Sequence, residues 1–368
     1  MYLTFYIDGA PKQLTWDDIL NNPYITLDTK LERKKITKII PEEYAERLWN
    51  KKVKHRQIFT DFLGNLSNDF DTSKHYRHFQ IPKKSNPKKM RQIDAPDDLL
   101  SALQTNYKAV IEDNLQVLPH KAAHAYVKER STITAMKVHQ KNNSKWYLQI
   151  DLKDFFNSID GEWLRKQLLE VFPFKYVDET FMNNLITLSL LNGTLPQGSH
   201  LSPLLTNLAM VPIDYQLTET LHNYNGHHYV YTRYADDITI SCKEKFDPDD
   251  ILNIIMQIFS AHKVPFRINH DKTRFGSTAG RNYHLGLIVN KDNQISVGHD
   301  KNQKFRAMIF NFCAVGEEWE KHDIQKMLGL ISYYKAIEPD FVAKVLEKYG
   351  RKYDIDIEYR AKYLLNNI

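Results

Sequence analysis

Gln149-Ile150-Asp151-Leu152-Lys153-Asp154-Phe155-Phe156-Asn157-Ser158-Ile159 is the stretch on which the fold turns. Trp146 to Ile150 is rich in β-formers and predicts a strand that ends on Asp151. A strand followed at once by an acid is how α/β enzymes present a ligand at a sheet edge. Downstream, His228 to Arg233 and Ile238 to Cys242 are two more β-rich runs, and Tyr234-Ala235-Asp236-Asp237 lies between them. That pattern predicts a hairpin with two carboxylates at its tip. Between these segments Leu195-Pro196-Gln197-Gly198 makes a loop, and Ser202-Pro203 opens a helix to about Tyr224, with Ser202 as N-cap and proline at the first position. Taken singly, each acid reads as a turn former or a solvated tip. Their joint placement suggests more.

Joining a nucleotide to a 3′ hydroxyl is served by two divalent cations about 3.5–4 Å apart, one lowering the pKa of the attacking hydroxyl and one holding the triphosphate. Such hard cations take oxygen ligands. Acids on a strand end and a hairpin tip are held by rigid elements before any substrate arrives. Asp151 and Asp236 would bridge the metals, with Asp237 assisting.

The rest of the chain agrees with an intracellular enzyme that handles a polyanion. It has 368 residues, 42% hydrophobic and 26% charged, which excludes a disordered or fibrous chain and allows one large core or two to three subdomains. The net charge of +5 is unevenly spread: residues 30–91 hold 17 Lys or Arg against 7 Asp or Glu, and the remainder is net acidic. So one-sided a segment favours a polyanion partner over a solvated face. Two distant cysteines, Cys242 and Cys313, match no zinc or disulfide pattern. No signal peptide or spanning apolar run is present, so a soluble cytoplasmic protein is expected, without membrane partners. His120 and His124 stand four apart without an acid or thiol companion, and read as structural or RNA-contacting.

The local reading extends outward from the acids. Tyr2 to Ile7 predicts a strand, and Pro41-Glu42-Glu43 a helix start in a mainly helical extension. His75 to Pro96 predicts two extended pieces around a basic turn at Lys83 to Lys89, and Asp97 to Leu118 a helix. After Gly298 come helices over Asp300 to Ala314, Glu317 to about Ala336 and Pro339 to Tyr349. Phe305, Ile309, Phe312, Leu328, Leu330, Ile331 and Tyr333 recur near helical spacing there and read mostly as core.

In order and spacing, the Asp151 segment, the Leu195-Pro196-Gln197-Gly198 and Ser202-Pro203 segment, and Tyr234-Ala235-Asp236-Asp237 resemble the catalytic motifs of bacterial reverse transcriptases of the retron and group II intron kind. Ile81-Pro82-Lys83-Lys84, Arg91-Gln92-Ile93-Asp94-Ala95-Pro96, Asn269-His270-Asp271-Lys272-Thr273 and Leu285-Gly286 extend the resemblance over roughly Tyr76 to Tyr349. It implies an α+β right-hand polymerase fold, with fingers, a palm of antiparallel sheet backed by helices, and a helical thumb. The implied division is a basic extension over 1–70, fingers and palm over 71–298, and thumb over 299–368. It implies an RNA-directed DNA polymerase with Asp151, Asp236 and Asp237 as catalytic metal ligands for two Mg²⁺ ions, Mn²⁺ being the alternative. Phe156 resembles the aromatic gate that excludes a 2′ hydroxyl, and Gln197 the residue that packs on the incoming nucleotide. Arg91 and Lys83 resemble the fingers cations on the triphosphate. Lys272 resembles the general acid for leaving pyrophosphate. Tyr234 belongs near the primer end, and Leu285-Gly286 resembles the primer grip, where glycine permits close approach.

Two departures bear on the kind of enzyme. Retron enzymes carry Asn-Ala-x-x-His where this chain reads Ala135-Met136-Lys137-Val138-His139, and Val-Thr-Gly where it reads His284-Leu285-Gly286. Compact size and Leu328-Gly329-Leu330-Ile331-Ser332-Tyr333-Tyr334 still resemble retrons, so a domesticated, retron-like enzyme of bacterial antiphage defence is expected rather than a mobile-element enzyme. The implied partners are RNA as template, in particular a dedicated non-coding RNA, deoxynucleoside triphosphates, a DNA product and a partner effector protein. Two other readings stay open: a template-independent or protein-primed DNA polymerase, and an RNA-binding scaffold without catalysis.

Overall fold

The chain is described by a computed structural model that covers residues 2–7, 10–15, 70–83, 86–115, 117–280, 284–290 and 292–367. β1 (Tyr2–Ile7) finds an antiparallel partner in β2 (Ala10–Thr15), which the sequence reading had not singled out. The helix start at Pro41 lies outside the described residues. β3 (Tyr76–Lys83) and β4 (Asn86–Pro96) form the expected antiparallel hairpin, with Tyr76 opposite Pro96. Its register slips at Pro82–Lys83, beside a proline that has no N–H for the ladder. α1 (Asp98–Ala109) starts on the Asp97 carboxylate, which accepts from the Leu100 N–H at 2.9 Å. It was expected to continue to Leu118, but the backbone widens into a π-turn over Val110–Asn114. His120 and His124 therefore fall in irregular chain beyond it, both buried, and not on one helix face.

α2 (Thr132–Lys141) opens with a capping box in which Ser131 and Thr134 satisfy each other's N–H groups. β5 (Trp146–Lys153), α3 (Gly161–Leu169) and α4 (Glu179–Ser189) follow. The long helix expected from Ser202 is two helices, α5 (Ser202–Ala209) and α6 (Val211–His222), jointed at Met210 just before Pro212. Ser202 is not the N-cap: Leu201 holds that place, and the Leu201 N–H donates instead to the Ser199 hydroxyl at 3.2 Å. β6 (Val230–Tyr234) and β7 (Asp237–Cys242) form the expected tip-bearing hairpin, followed by α7 (Pro248–Ala261) and β8 (Arg267–Ser277). Two short strands, β9 (Ile288–Val289) and β10 (Ile295–Ser296), lead to four helices: α8 (His299–Val315), α9 (Lys321–Ile337), α10 (Pro339–Tyr353) and α11 (Ile357–Asn367). The last of these was not expected. Among the described residues no helix is long and apolar enough to cross a membrane.

One four-stranded sheet, ordered β6-β7-β5-β8, organises the middle of the chain. Buried Ile150 and Leu152 on β5, with Ile238 and Ile240 on β7, supply its apolar side chains. The chain divides into two compact units, the first of residues 1–129, 149–240 and 247–274, the second of 130–148, 241–246 and 275–368.

The second unit has its own core. Phe305, Ile309 and Phe312 from α8 meet Ile324, Met327, Ile331 and Tyr334 from α9, and Val342 and Val345 from α10. The Phe305 and Tyr334 rings stack at 4.4 Å. Leu328 and Leu330 are partly buried against this core, while Tyr333 stays on the exposed side. His139, the residue retained from the altered retron segment, is fully buried, its Nδ1 2.6 Å from the Ser241 hydroxyl.

His284 is 4% exposed, its ring 4.3 Å from Tyr147. Burial pushes its pKa down from 6.5 to about 4. Between those values an unfolded chain takes up a proton that the folded one refuses, so stability falls as pH falls through this window. The full difference is about 3 kcal/mol at pH 4. Thermal melts of wild type and His284→Val from pH 8 to pH 4 should show the wild type losing more stability below about pH 6.5, and parallel curves would contradict this.

Candidate active site

Asp151 lies on β5, but the strand does not stop there. It runs on to Lys153, and the Leu152 N–H donates to the Asp236 carbonyl at 2.9 Å. That one bond ties β5 to the tip of the β6–β7 hairpin. Leu152 is buried, and with strand alternation Asp151 takes the opposite side. At the tip Ala235 adopts φ 56°, so the chain reverses within Ala235 and Asp236 and delivers two successive acids.

The consequences are electrostatic. Loss of surrounding water raises the Asp236 pKa, with the Asp151 carboxylate adding to it. Desolvation likewise pushes Asp237 up to about 6, with Asp236 and Asp151 contributing further. Acids that raise one another's protonation are a set that a hard cation relieves, and all the donors are oxygens, which suits a divalent metal. The corner already draws hydrogen-bond donors from β8, one of them charged. Lys272 Nζ stands 2.7 Å from Asp151 Oδ1, and Asn269 Nδ2 donates to Asp151 Oδ2 at 2.9 Å. Residues three apart on a straight strand face opposite ways. Here the Thr273 hydroxyl bonds back to the Asn269 carbonyl at 3.0 Å, a local fold-back that goes with both side chains reaching one carboxylate. With Lys272 63% exposed, the ion pair is worth at most about 1 kcal/mol, so a competing cation displaces it readily.

Asp151, Asp236, Asn269 and Lys272 line a cleft of about 420 Å³ that also takes in Arg91, Phe156 and Gln197. β4 presents Arg91, opposite Ile81 in the hairpin register. Lys89 lines the cleft beside it, whereas the Lys83 side chain is outside the described residues. Gln197 is fixed by its backbone: its carbonyl accepts from the Asp94 N–H at 2.7 Å. Gly198 follows at φ 124°, where a Cβ would come within 2.6 Å of the Asp94 carbonyl, so only glycine fits.

On a strand-like path Phe155 and Phe156 would point opposite ways. The path is instead a turn that starts at Asp154, φ 52°, and closes with the Ser158 N–H on the Asp154 carbonyl at 2.9 Å. Both rings are buried. Phe155 packs edge-on against Phe266 at 4.9 Å, and Phe156 lines the cleft. Tyr234, half-buried, ends β6 just before the tip. Leu285 and Gly286 belong to the second unit, where φ values of 52° and 81° close a tight turn between His284 and Leu287, and Lys301 Nζ donates to the Gly286 carbonyl at 2.6 Å.

Residues 81–329 match the reverse transcriptase (RNA-dependent DNA polymerase) family. This chain is a reverse transcriptase. It is 27% identical to the retron Ec83 reverse transcriptase of Escherichia coli, across 75% of this chain and 87% of that one. The retron Ec73 enzyme of Escherichia coli is 32% identical, across 62% and 74%. The group II intron-encoded protein LtrA of Lactococcus lactis is 24% identical, across 53% and 30%. The reverse transcriptase has an α+β polymerase fold and RNA-directed DNA polymerase activity, in a family that uses divalent metal ions.

Sequence reading missed the support beneath the tip. Arg233 and Asp214 are both fully buried, paired through two bonds, Nε to Oδ1 at 2.9 Å and Nη2 to Oδ2 at 2.7 Å. Arg233 Nη1 also donates to Asn207 Oδ1 at 3.0 Å and to the Ala235 carbonyl at 3.3 Å. The only signal in the sequence was a charged residue inside an apolar strand. Arg233→Met strands a buried carboxylate and should cost about 3–5 kcal/mol. Adding Asp214→Leu should recover most of that stability but leave polymerisation at least about tenfold slower, because the tip has lost its donor. Melting curves beside single-nucleotide rates check both; full recovery of rate in the double variant would contradict the positioning role.

Proposed function

We propose that the cleft of the first unit is the polymerase centre of a retron-like reverse transcriptase that copies a structured RNA into DNA in the bacterial cytoplasm. What carries this reading is the convergence of Asp151 and Asp236 on one cleft with Arg91, Phe156 and Gln197, with Asp237 next to Asp236 at the tip and in the field of both acids. The three carboxylates are the ligands for two Mg²⁺ ions, or Mn²⁺ in their place. When bound, these ions supply activation of the primer 3′ hydroxyl and neutralisation of the triphosphate.

The remaining roles belong to the chain's own side chains. Arg91 neutralises the triphosphate with a planar, always-charged group, and Lys83 is its companion on the hairpin. Gln197, anchored by β4, packs against the incoming deoxynucleotide. Phe156 closes the space that a 2′ hydroxyl would need. Asn269 and Lys272 orient Asp151 through one oxygen each, and Lys272 serves as proton donor to the leaving pyrophosphate once released from that pair. Tyr234 lies at the primer end, and Leu285-Gly286 forms the primer grip.

The likeness to retron enzymes supports a dedicated non-coding RNA as template, bound in part by the basic residues 30–91. It also supports a role in antiphage defence together with an effector protein. In the proposed division, residues 1–70 are the extension, 71–298 fingers and palm, and 299–368 the thumb.

Two outcomes are expected. Sequencing the nucleic acid that co-purifies with the protein, before and after adding deoxynucleotides and Mg²⁺, should reveal an RNA that acquires complementary DNA; DNA made without any RNA would support the template-independent reading instead. Asp236→Asn with Asp237→Asn should lower synthesis by about 10³-fold or more while RNA binding, read by filter retention, is kept. Full activity in that variant would sink the polymerase assignment of the cleft.

A further inference from the structure

Tyr126 is held in a way that neither core packing nor surface solvation explains. Its φ is 58°, a left-handed conformation that a bulky residue adopts only where its surroundings impose it. Yet the residue is 55% exposed, so burial of the ring alone does not account for the strain.

The cause of the conformation lies in the support already described. Asn207 Nδ2 donates to the carbonyl of Ala125, the preceding residue, at 2.8 Å, and Asn207 is itself gripped by Arg233. The Arg233 N–H and C=O also hold Ala122 and His124, at 2.7 and 2.8 Å. The buried group that fixes the acidic tip therefore fixes the backbone that carries Tyr126. The ring stands edge-on to Phe156, with centroids 6.4 Å apart at 63°. Its hydroxyl is raised first by desolvation and then by the Asp236 carboxylate, with Arg91 opposing, so it lies in the field of the cleft's own groups.

We propose that Tyr126 is a specificity-determining residue of the nucleotide site, its ring buttressing Phe156 so that the gate cannot swing aside for a 2′ hydroxyl. This rests on the reading of Phe156 as the gate. Phe156 has two edge-on ring partners: Phe155, which is anchored on Phe266, and the exposed Tyr126.

The test compares dTTP with UTP on poly(rA) annealed to oligo(dT), using the full chain with Mg²⁺ and reading kcat/KM for each nucleotide. Tyr126→Gly removes the ring at a φ that glycine adopts freely, so the fold is kept. The variant should narrow the dTTP-to-UTP ratio by about tenfold, and Tyr126→Phe, which keeps the edge-on contact, should stay within about twofold of wild type. Tyr126→Gly combined with Phe156→Ala should be no less selective than Phe156→Ala alone. The proposal is overturned if Tyr126→Gly keeps the wild-type ratio, or slows both nucleotides equally, while Phe156→Ala loses selectivity. Unchanged selectivity in Phe156→Ala overturns the gate reading itself.

Discussion

Three carboxylates held at one corner of one sheet are the constraint around which the first unit is arranged. Loss of water pushes Asp236 and Asp237 upward first, and the repulsion of the neighbouring carboxylates adds to it. A fold keeps such a corner only by making its backbone rigid. The bond from Leu152 to the Asp236 carbonyl and the reversal at Ala235 do so, and Lys272 and Asn269 balance the corner from β8.

Beneath it the Arg233–Asp214 pair performs a second task. A buried ion pair contributes little net stability, since desolvation offsets most of the attraction. Its value here is geometric: a planar guanidinium reaches α6, α5 and the hairpin tip at once, and through Asn207 it sets the segment bearing Tyr126. The acidic tip and the segment bearing Tyr126 are thereby registered against each other by one side chain.

Much of this was legible in the residues, and the rest failed for physical reasons. The β3–β4 and β6–β7 hairpins were readable because β-rich runs flank short turns, and the helices after Gly298 because their apolar residues keep a helical period. Helix ends were misjudged where local preference yields to packing, as at the π-turn after Ala109 and the joint at Met210. Asp151 was placed at a strand end, whereas ladder bonds carry β5 two residues further. Lys272 was read for its chemistry, but its meeting with Asn269 on one carboxylate depends on a bend in β8 that alternation does not reveal. Arg233 and Asp214, 19 residues apart, gave no sign of being partners, because every position around Arg233 on β6 is apolar or buried. Tyr126 was invisible for a similar reason: its role depends on a positive φ imposed by a distant asparagine.

The most direct test of the account is to count metal ions at the corner. Mn²⁺ binding can be followed by electron paramagnetic resonance with the chain held on a primer–template and a non-hydrolysable deoxynucleotide. The account predicts two ions per chain for the wild type and loss of both in Asp151→Asn combined with Asp236→Asn. Undiminished Mn²⁺ binding in that double variant would contradict it.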